Sequence, residues 1–172
     1  MTKLLKQINI QEIKLFVLDF DGVLTDNKVY VDEFGNESVV CSRSDGLAFD
    51  AIKKLGIPVL ILSTEKNSVV SKRAEKLQVH CIHSEKNKTT ALEGFLKKNN
   101  LTFDKVFYIG NDINDLHVMG LCGFSACPAD SHDSIQAIAK FILKRNGGDG
   151  IFREVLENIF GLNLSCIIYK DE

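Results

Sequence analysis

The stretch Leu15-Phe16-Val17-Leu18-Asp19-Phe20-Asp21-Gly22 sets the strongest constraint on what this chain can fold into. Its apolar run has no polar alternation, which suits a strand covered on both faces, as in parallel sheets. Two carboxylates follow at once, and burying them is costly unless they are paired or bound to a cation. Gly22 then lets the backbone turn and point the second acid back toward the first. Open parallel sheets bind ligands beyond the carboxyl ends of their strands, so this strand end is read as the start of a site.

The strand theme recurs. Residues 15–20, 58–63, 79–83, 105–110, 123–127 and 141–143 have strand-like composition, and residues 46–55, 67–77, 88–99, 114–121, 134–140 and 150–160 read as helices between them. Within 67–77, Val69, Val70, Arg73, Ala74 and Leu77 share one face at helical spacing. Gly56 follows Leu55 as a helix stop should. The alternation predicts an α/β fold, a doubly wound parallel sheet with right-handed crossovers. One segment breaks the rhythm: "KVYVDEFGNESVVCS" reads as a β-hairpin insert over about residues 28–43, directly after the two acids. Residues 161–172 read as a tail, either an added strand or a segment docked on a neighbour. At 172 residues without a linker, the chain is expected to be one domain.

A net charge of -2 gives no reason to expect a nucleic-acid or membrane partner, and no apolar run approaches a membrane span. The start, "MTKLLKQINIQEIK", lacks the apolar core of a signal peptide. The five cysteines, Cys41, Cys81, Cys122, Cys127 and Cys166, show no C-x-x-C spacing, so reduced thiols and a cytoplasmic setting are expected. His80 and His83 in "HCIH" lie in strand-like surroundings with no second ligand pair nearby, and a structural role is expected for them.

Read strand end by strand end, the polar residues differ in chemistry. The first strand ends in Asp19 and Asp21, the second in Ser63-Thr64-Glu65-Lys66, the third is followed by residues 84–88 with Lys88, and the fourth ends in Gly110-Asn111-Asp112-Ile113-Asn114-Asp115. Carboxylates gathered on one rim repel each other unless a cation lies among them, and oxygen ligands of this kind suit Mg²⁺. The Ser63 hydroxyl and Lys88 ammonium could hold phosphate oxygens. Asp19, at the strand end, suits a nucleophile that forms an aspartyl-phosphate. Asp21 suits the acid that protonates the leaving alkoxide and then activates water. Each piece has a plainer reading: D-x-D as a turn, "GNDIND" as a capped loop, Lys88 as surface. Their order on successive strand ends favours a site.

"DFDGVLTD", Ser63, Lys88 and "YIGNDIND" resemble the four motifs of the haloacid dehalogenase superfamily of phosphotransferases, over about residues 14–160. "GVLTD" followed by a hairpin in place of a cap domain, with "RSDGLAF", "KRAEKL", "PADSH" and "NGGDGIFREV", is similar to one branch. That branch holds the 3-deoxy-D-manno-octulosonate 8-phosphate phosphatases, the nonulosonate 9-phosphate phosphatases and the C-terminal domain of acylneuraminate cytidylyltransferases. The resemblance implies a Mg²⁺-dependent phosphatase of a 2-keto-3-deoxy sugar acid phosphate. It would use Asp19 as nucleophile, Asp21 as acid–base and, through its carbonyl, metal ligand, and Ser63 and Lys88 on the phosphoryl group. It also implies a homotetramer in which each hairpin helps enclose a neighbour's site.

Thr64, Glu65, Arg73, Lys76 and Arg153 are the candidate substrate contacts, with Arg153 alternatively at a subunit boundary or on the surface. Two positions depart from the pattern. Where the branch has G-D-D this chain has Gly110-Asn111-Asp112, so either Asn111 or Asp112 would join Asp19 and Asp21 at the metal. Where the octulosonate enzymes tend to carry Thr-Gly-Arg it has Ser63-Thr64-Glu65, and Glu65 with Lys76 looks more like the nonulosonate group. Two other readings stand beside the enzyme: a non-catalytic oligomerisation module, favoured by Asn111, and a phospho-accepting receiver domain.

Overall fold

In the computed structural model, which describes residues 8–170, the six long-range apolar runs pair into one sheet of order β5-β4-β1-β6-β7-β8, every pairing parallel. The strands are β1 (Leu15–Leu18), β4 (Val59–Leu62), β5 (His80–Ile82), β6 (Val106–Ile109), β7 (Phe124–Cys127) and β8 (Phe141–Ile142). A separate antiparallel pair, β2 (Tyr30–Val31) and β3 (Glu37–Ser38), forms the hairpin. The helices are α1 (Arg43–Lys54), α2 (Val69–Leu77), α3 (Lys88–Lys98), α4 (Leu116–Leu121), α5 (Asp133–Ile138), α6 (Ile151–Glu154) and α7 (Leu164–Ile168). The first seven residues, "MTKLLKQ", and the last two of the tail lie outside the described residues.

β1 explains the layering. Its four side chains alternate between two cores: Phe16 and Leu18 join Phe49, Ile52, Val70 and Phe152 on one face, and Leu15 and Val17 join Leu92, Leu96, Val118 and Met119 on the other. Helices thus cover both faces, which is why the run shows no alternation. Counted along the main sheet, the strand order is 3-2-1-4-5-6. Its direction reverses between β1 and β6, where doubly wound sheets open a crevice.

Several boundaries differ from expectation. β1 ends at Leu18, because the carbonyl of Phe20 accepts from the amides of Val23, Leu24 and Thr25 and curls the chain into a tight turn. α1 begins at Arg43, three residues ahead of the predicted Gly46, because the Ser42 hydroxyl caps it through the Ser44 amide. The predicted 150–160 helix is α6 followed by a π-helical turn over Val155–Ile159. The tail adds no strand to the sheet: its described part forms α7, which packs on α1 of the same chain, and Lys54 Nζ donates to the Ile168 carbonyl.

Candidate active site

The β1–β6 crevice brings the first and fourth strand ends together. The Asp19 amide donates to the Ile109 carbonyl, so the chain stays in register one residue past the strand and holds Asp19 beside Gly110 and Asn111. Lys88, the first residue of α3, reaches under this rim. Its Nζ lies 2.8 Å from Asp19 Oδ1 and 2.7 Å from Asp115 Oδ1, with all three side chains at most 5% exposed. Burial alone would push the Lys88 ammonium down, but the two carboxylates override it and hold its pKa above the ordinary lysine range. Burial, then the Asp115 charge, raises Asp19 to about 8 although Lys88 pulls the other way. One ammonium does not neutralise two buried carboxylates, so without a further cation Asp19 is driven toward its protonated form.

Asp115 was missed in reading the sequence, although it stands in the quoted "GNDIND". It is fully buried, and its carboxylate accepts from Lys88 Nζ, Tyr108 Oη and the Asn111 and Asp112 amides. A lysine that must be buried needs such a counter-ion, and that requirement was the available signal. Thr25 was missed too: its hydroxyl donates to Asp21 Oδ1 at 3.3 Å and accepts from the Gly22 and Asn27 amides, which orients the second acid. Asp21 is half-buried, and burial, followed by repulsion from Glu65, raises its pKa. That is the direction an acid poised to give up a proton needs.

The two candidates at the fourth strand end part company. Asp112 is exposed, and its carboxylate accepts from the Ile113 amide at 2.7 Å as the cap of a short 3₁₀ turn. Asn111 is buried against Gly22, and its Oδ1 has no hydrogen-bond partner. Gly22 sits at φ +78°, and a Cβ there would fall 1.9 Å from Asn111 Nδ2. Only glycine permits both the turn and the approach. Among the described residues no trio of His, Cys, Asp or Glu is set to hold a metal. The side-chain donors on this rim are mixed instead: the Asp19 carboxylate and the unsatisfied Asn111 amide oxygen.

At the second strand end, Ser63 is buried and its Oγ accepts from the Glu65 amide at 3.0 Å, leaving its proton free to donate. Thr64 Oγ1 accepts from Asn114 Nδ2, linking two strand ends. Glu65 Oε1 accepts from the Lys66 and Asn67 amides, and Glu65 lines a cleft of about 140 Å³ with Asp21 and the hairpin residues Glu37 and Val39. The other candidates lie elsewhere. Arg73 and Lys76 line a groove of about 290 Å³ between α1 and α2, with Arg43 and Asp50, and Arg73 Nη2 donates to the Ser42 carbonyl. Arg153 pairs with Glu157 at 3.1 Å beside a hollow of about 410 Å³ under α7. His80 packs edge-on against Phe95, and His83 Nδ1 lies 3.3 Å from the Glu65 carbonyl.

Residues 60–155 match the model of the haloacid dehalogenase-like hydrolases, over more than half the chain. The chain belongs to the haloacid dehalogenase-like hydrolase family. Like its relatives in that family it is a phosphatase, a phosphoric monoester hydrolase, so the readings as a non-catalytic module or a receiver domain are set aside. The 3-deoxy-D-manno-octulosonate 8-phosphate phosphatase of Escherichia coli K12 is 31% identical over 148 residues, covering 86% of this chain and 79% of that protein. Among solved structures, a HAD family protein from Streptomyces avermitilis matches with a TM-score of 0.88 and 38% identity, covering 92% and 91% of the two chains. The 3-deoxy-D-manno-octulosonate 8-phosphate phosphatase of Moraxella catarrhalis, in complex with magnesium, phosphate and KDO, matches with a TM-score of 0.87 and 32% identity, covering 94% of each chain. A related Haemophilus influenzae enzyme in its cobalt-bound form matches at 0.82 and 29%, covering 88% and 89%.

Proposed function

We propose that this chain, working as a single domain in the cytoplasm, is a Mg²⁺-dependent phosphatase that hydrolyses a 2-keto-3-deoxy sugar acid phosphate through an aspartyl-phosphate on Asp19. The observation that carries the reading is the buried Asp19–Lys88–Asp115 cluster, with Asp21 half-buried two residues on. A divalent ion fits the rim: Asp19, the Asp21 carbonyl and the orphaned Asn111 Oδ1 would hold it. When bound, it supplies positive charge that keeps Asp19 ionised and stabilises negative charge on the phosphoryl group. Asp112, engaged as a cap, contributes little to that set.

Asp19 attacks phosphorus, and the ester oxygen leaves with the proton of Asp21. Asp21, now a carboxylate held by Thr25, takes a proton from water as that water attacks the phosphoaspartate, which releases phosphate and restores Asp19. Lys88 and the Ser63 hydroxyl hold the phosphoryl oxygens, and Asp115 keeps Lys88 in place.

Two sugars compete. The relatives named above support octulosonate 8-phosphate. Glu65, in a cleft lined also by Asp21, Glu37 and Lys28, supports nonulosonate 9-phosphate, because its carboxylate can accept from an amide N–H that an octulosonate lacks. Thr64 lies on the same rim, whereas Arg73, Lys76 and Arg153 lie outside the cleft and would reach substrate through a neighbouring subunit of a homotetramer. The test is phosphate release with Mg²⁺ from a panel of octulosonate 8- and nonulosonate 9-phosphates. Activity is expected from one class, lost in Asp19→Asn, and shifted toward octulosonate in Glu65→Arg. Full turnover by Asp19→Asn would rule out the mechanism.

A further inference from the structure

The segment Asn146-Gly147-Gly148-Asp149-Gly150, between β8 and α6, holds three of the chain's glycines and takes no part in the chemistry above. It packs main chain to main chain against the turn that carries Asp21. A Cβ at Gly147 would lie 2.2 Å from the Gly22 carbonyl oxygen and 3.0 Å from that of Thr25. Gly147 does not have positive φ, unlike Gly148 and Gly150, so contact alone demands glycine at that position. The Gly148 amide donates to the Val23 carbonyl at 3.0 Å.

Neither side of this contact is free to yield. Gly22 is pressed from another direction by Asn111. The 143–150 loop is tied from behind: the buried Glu154 carboxylate accepts from the Lys144 and Arg145 amides at 2.9 and 3.0 Å. The Arg145 carbonyl accepts from the Ala129 amide, and Asp130 Oδ1 accepts from the Gly147 amide at 2.9 Å. The turn so braced is the one in which Thr25 orients the Asp21 carboxylate.

We propose that this glycine loop is a positioning device for the acid–base aspartate, acting through the Gly147 contact with Gly22 and clamped by Asp130. The proposal rests on the reading of Asp21 as general acid. That role shows selectively: an alkoxide leaving group needs the proton, a nitrophenolate does not. The experiment compares kcat/KM at saturating Mg²⁺ for p-nitrophenyl phosphate and for the sugar acid phosphate turned over fastest in the panel, in the wild type, Asp21→Asn, Gly147→Ala, Asp130→Ala and Asp130→Asn. Gly147→Ala and Asp130→Ala are expected to raise the aryl-to-alkyl ratio by about tenfold, in the direction of Asp21→Asn. Asp130→Asn, which keeps an acceptor oxygen for the Gly147 amide, is expected to stay within about twofold of the wild type. If Asp21→Asn raises the ratio while Gly147→Ala and Asp130→Ala depress both substrates equally, the loop is only structural and the proposal is overturned. An unchanged ratio in Asp21→Asn overturns the acid–base reading, and the proposal with it.

Discussion

Asp19, Lys88, Asp115 and Asn111 make a buried rim with one ammonium for two carboxyl groups. Asn111 is the position where the chain differs from the G-D-D of the branch it resembles, and its amide oxygen brings no charge to a cation. Asn111→Asp would add a carboxylate beside Asp19. Mg²⁺ is then expected to half-saturate activity at roughly tenfold lower concentration, because affinity rises with ligand charge. Without a cation the extra carboxylate repels its neighbours, so the variant's Tm in EDTA should fall by the equivalent of about 1–2 kcal/mol and recover on adding Mg²⁺. An unchanged Mg²⁺ requirement would place the ion away from Asn111. Asp19, Asp21, Ser63 and Lys88 were legible as candidates because their types and order are distinctive. Asp115 and Thr25 were not assigned, because what they do depends on which donors the fold brings to them.

α1 and α6 meet through one buried carboxylate. Asp45 is 1% exposed; its Oδ1 accepts from the Phe152 and Arg153 amides at the start of α6, while its Oδ2 has no partner. Burial raises its pKa from 3.8 to about 6, with the two amides and Arg73 opposing. A raised carboxyl pKa means the folded state binds the proton more tightly than the unfolded chain. The stability this confers is full below about pH 4 and is lost as pH rises through 6. A displacement of that size is on the order of 3 kcal/mol. Urea unfolding at several pH values should therefore show the wild type losing stability relative to Asp45→Asn between pH 4 and 6, with a constant difference above. A flat difference across that range would refute the assignment. Helix positions were readable from periodicity and Gly56, but the early start of α1 depended on whether Ser42 or a later residue served as cap. The π turn after α6 had no local signature.

The hairpin leaves apolar side chains in water: Tyr30 is 63%, Val31 61% and Phe34 82% exposed. A patch of this kind marks an interaction surface, consistent with the proposed homotetramer. Sedimentation equilibrium is expected to give a tetramer for the wild type and a smaller species for Val31→Glu/Phe34→Glu, with unchanged far-UV circular dichroism since neither side chain enters the core. A monomeric wild type would remove the hairpin's proposed role. The order of strands and helices, the hairpin, the acid pair and the superfamily were decided by sequence alone, because they rest on local patterns: unbroken apolar runs, helical spacing, and fixed short motifs. The pairing of Lys88 with Asp115, the choice of Asn111 over Asp112 at the rim, the tail's return as α7 onto α1 and the Gly147–Gly22 contact were decided only by tertiary structure. Each joins residues far apart in the chain, or turns on which of two neighbouring side chains faces inward, and no local pattern carries that information.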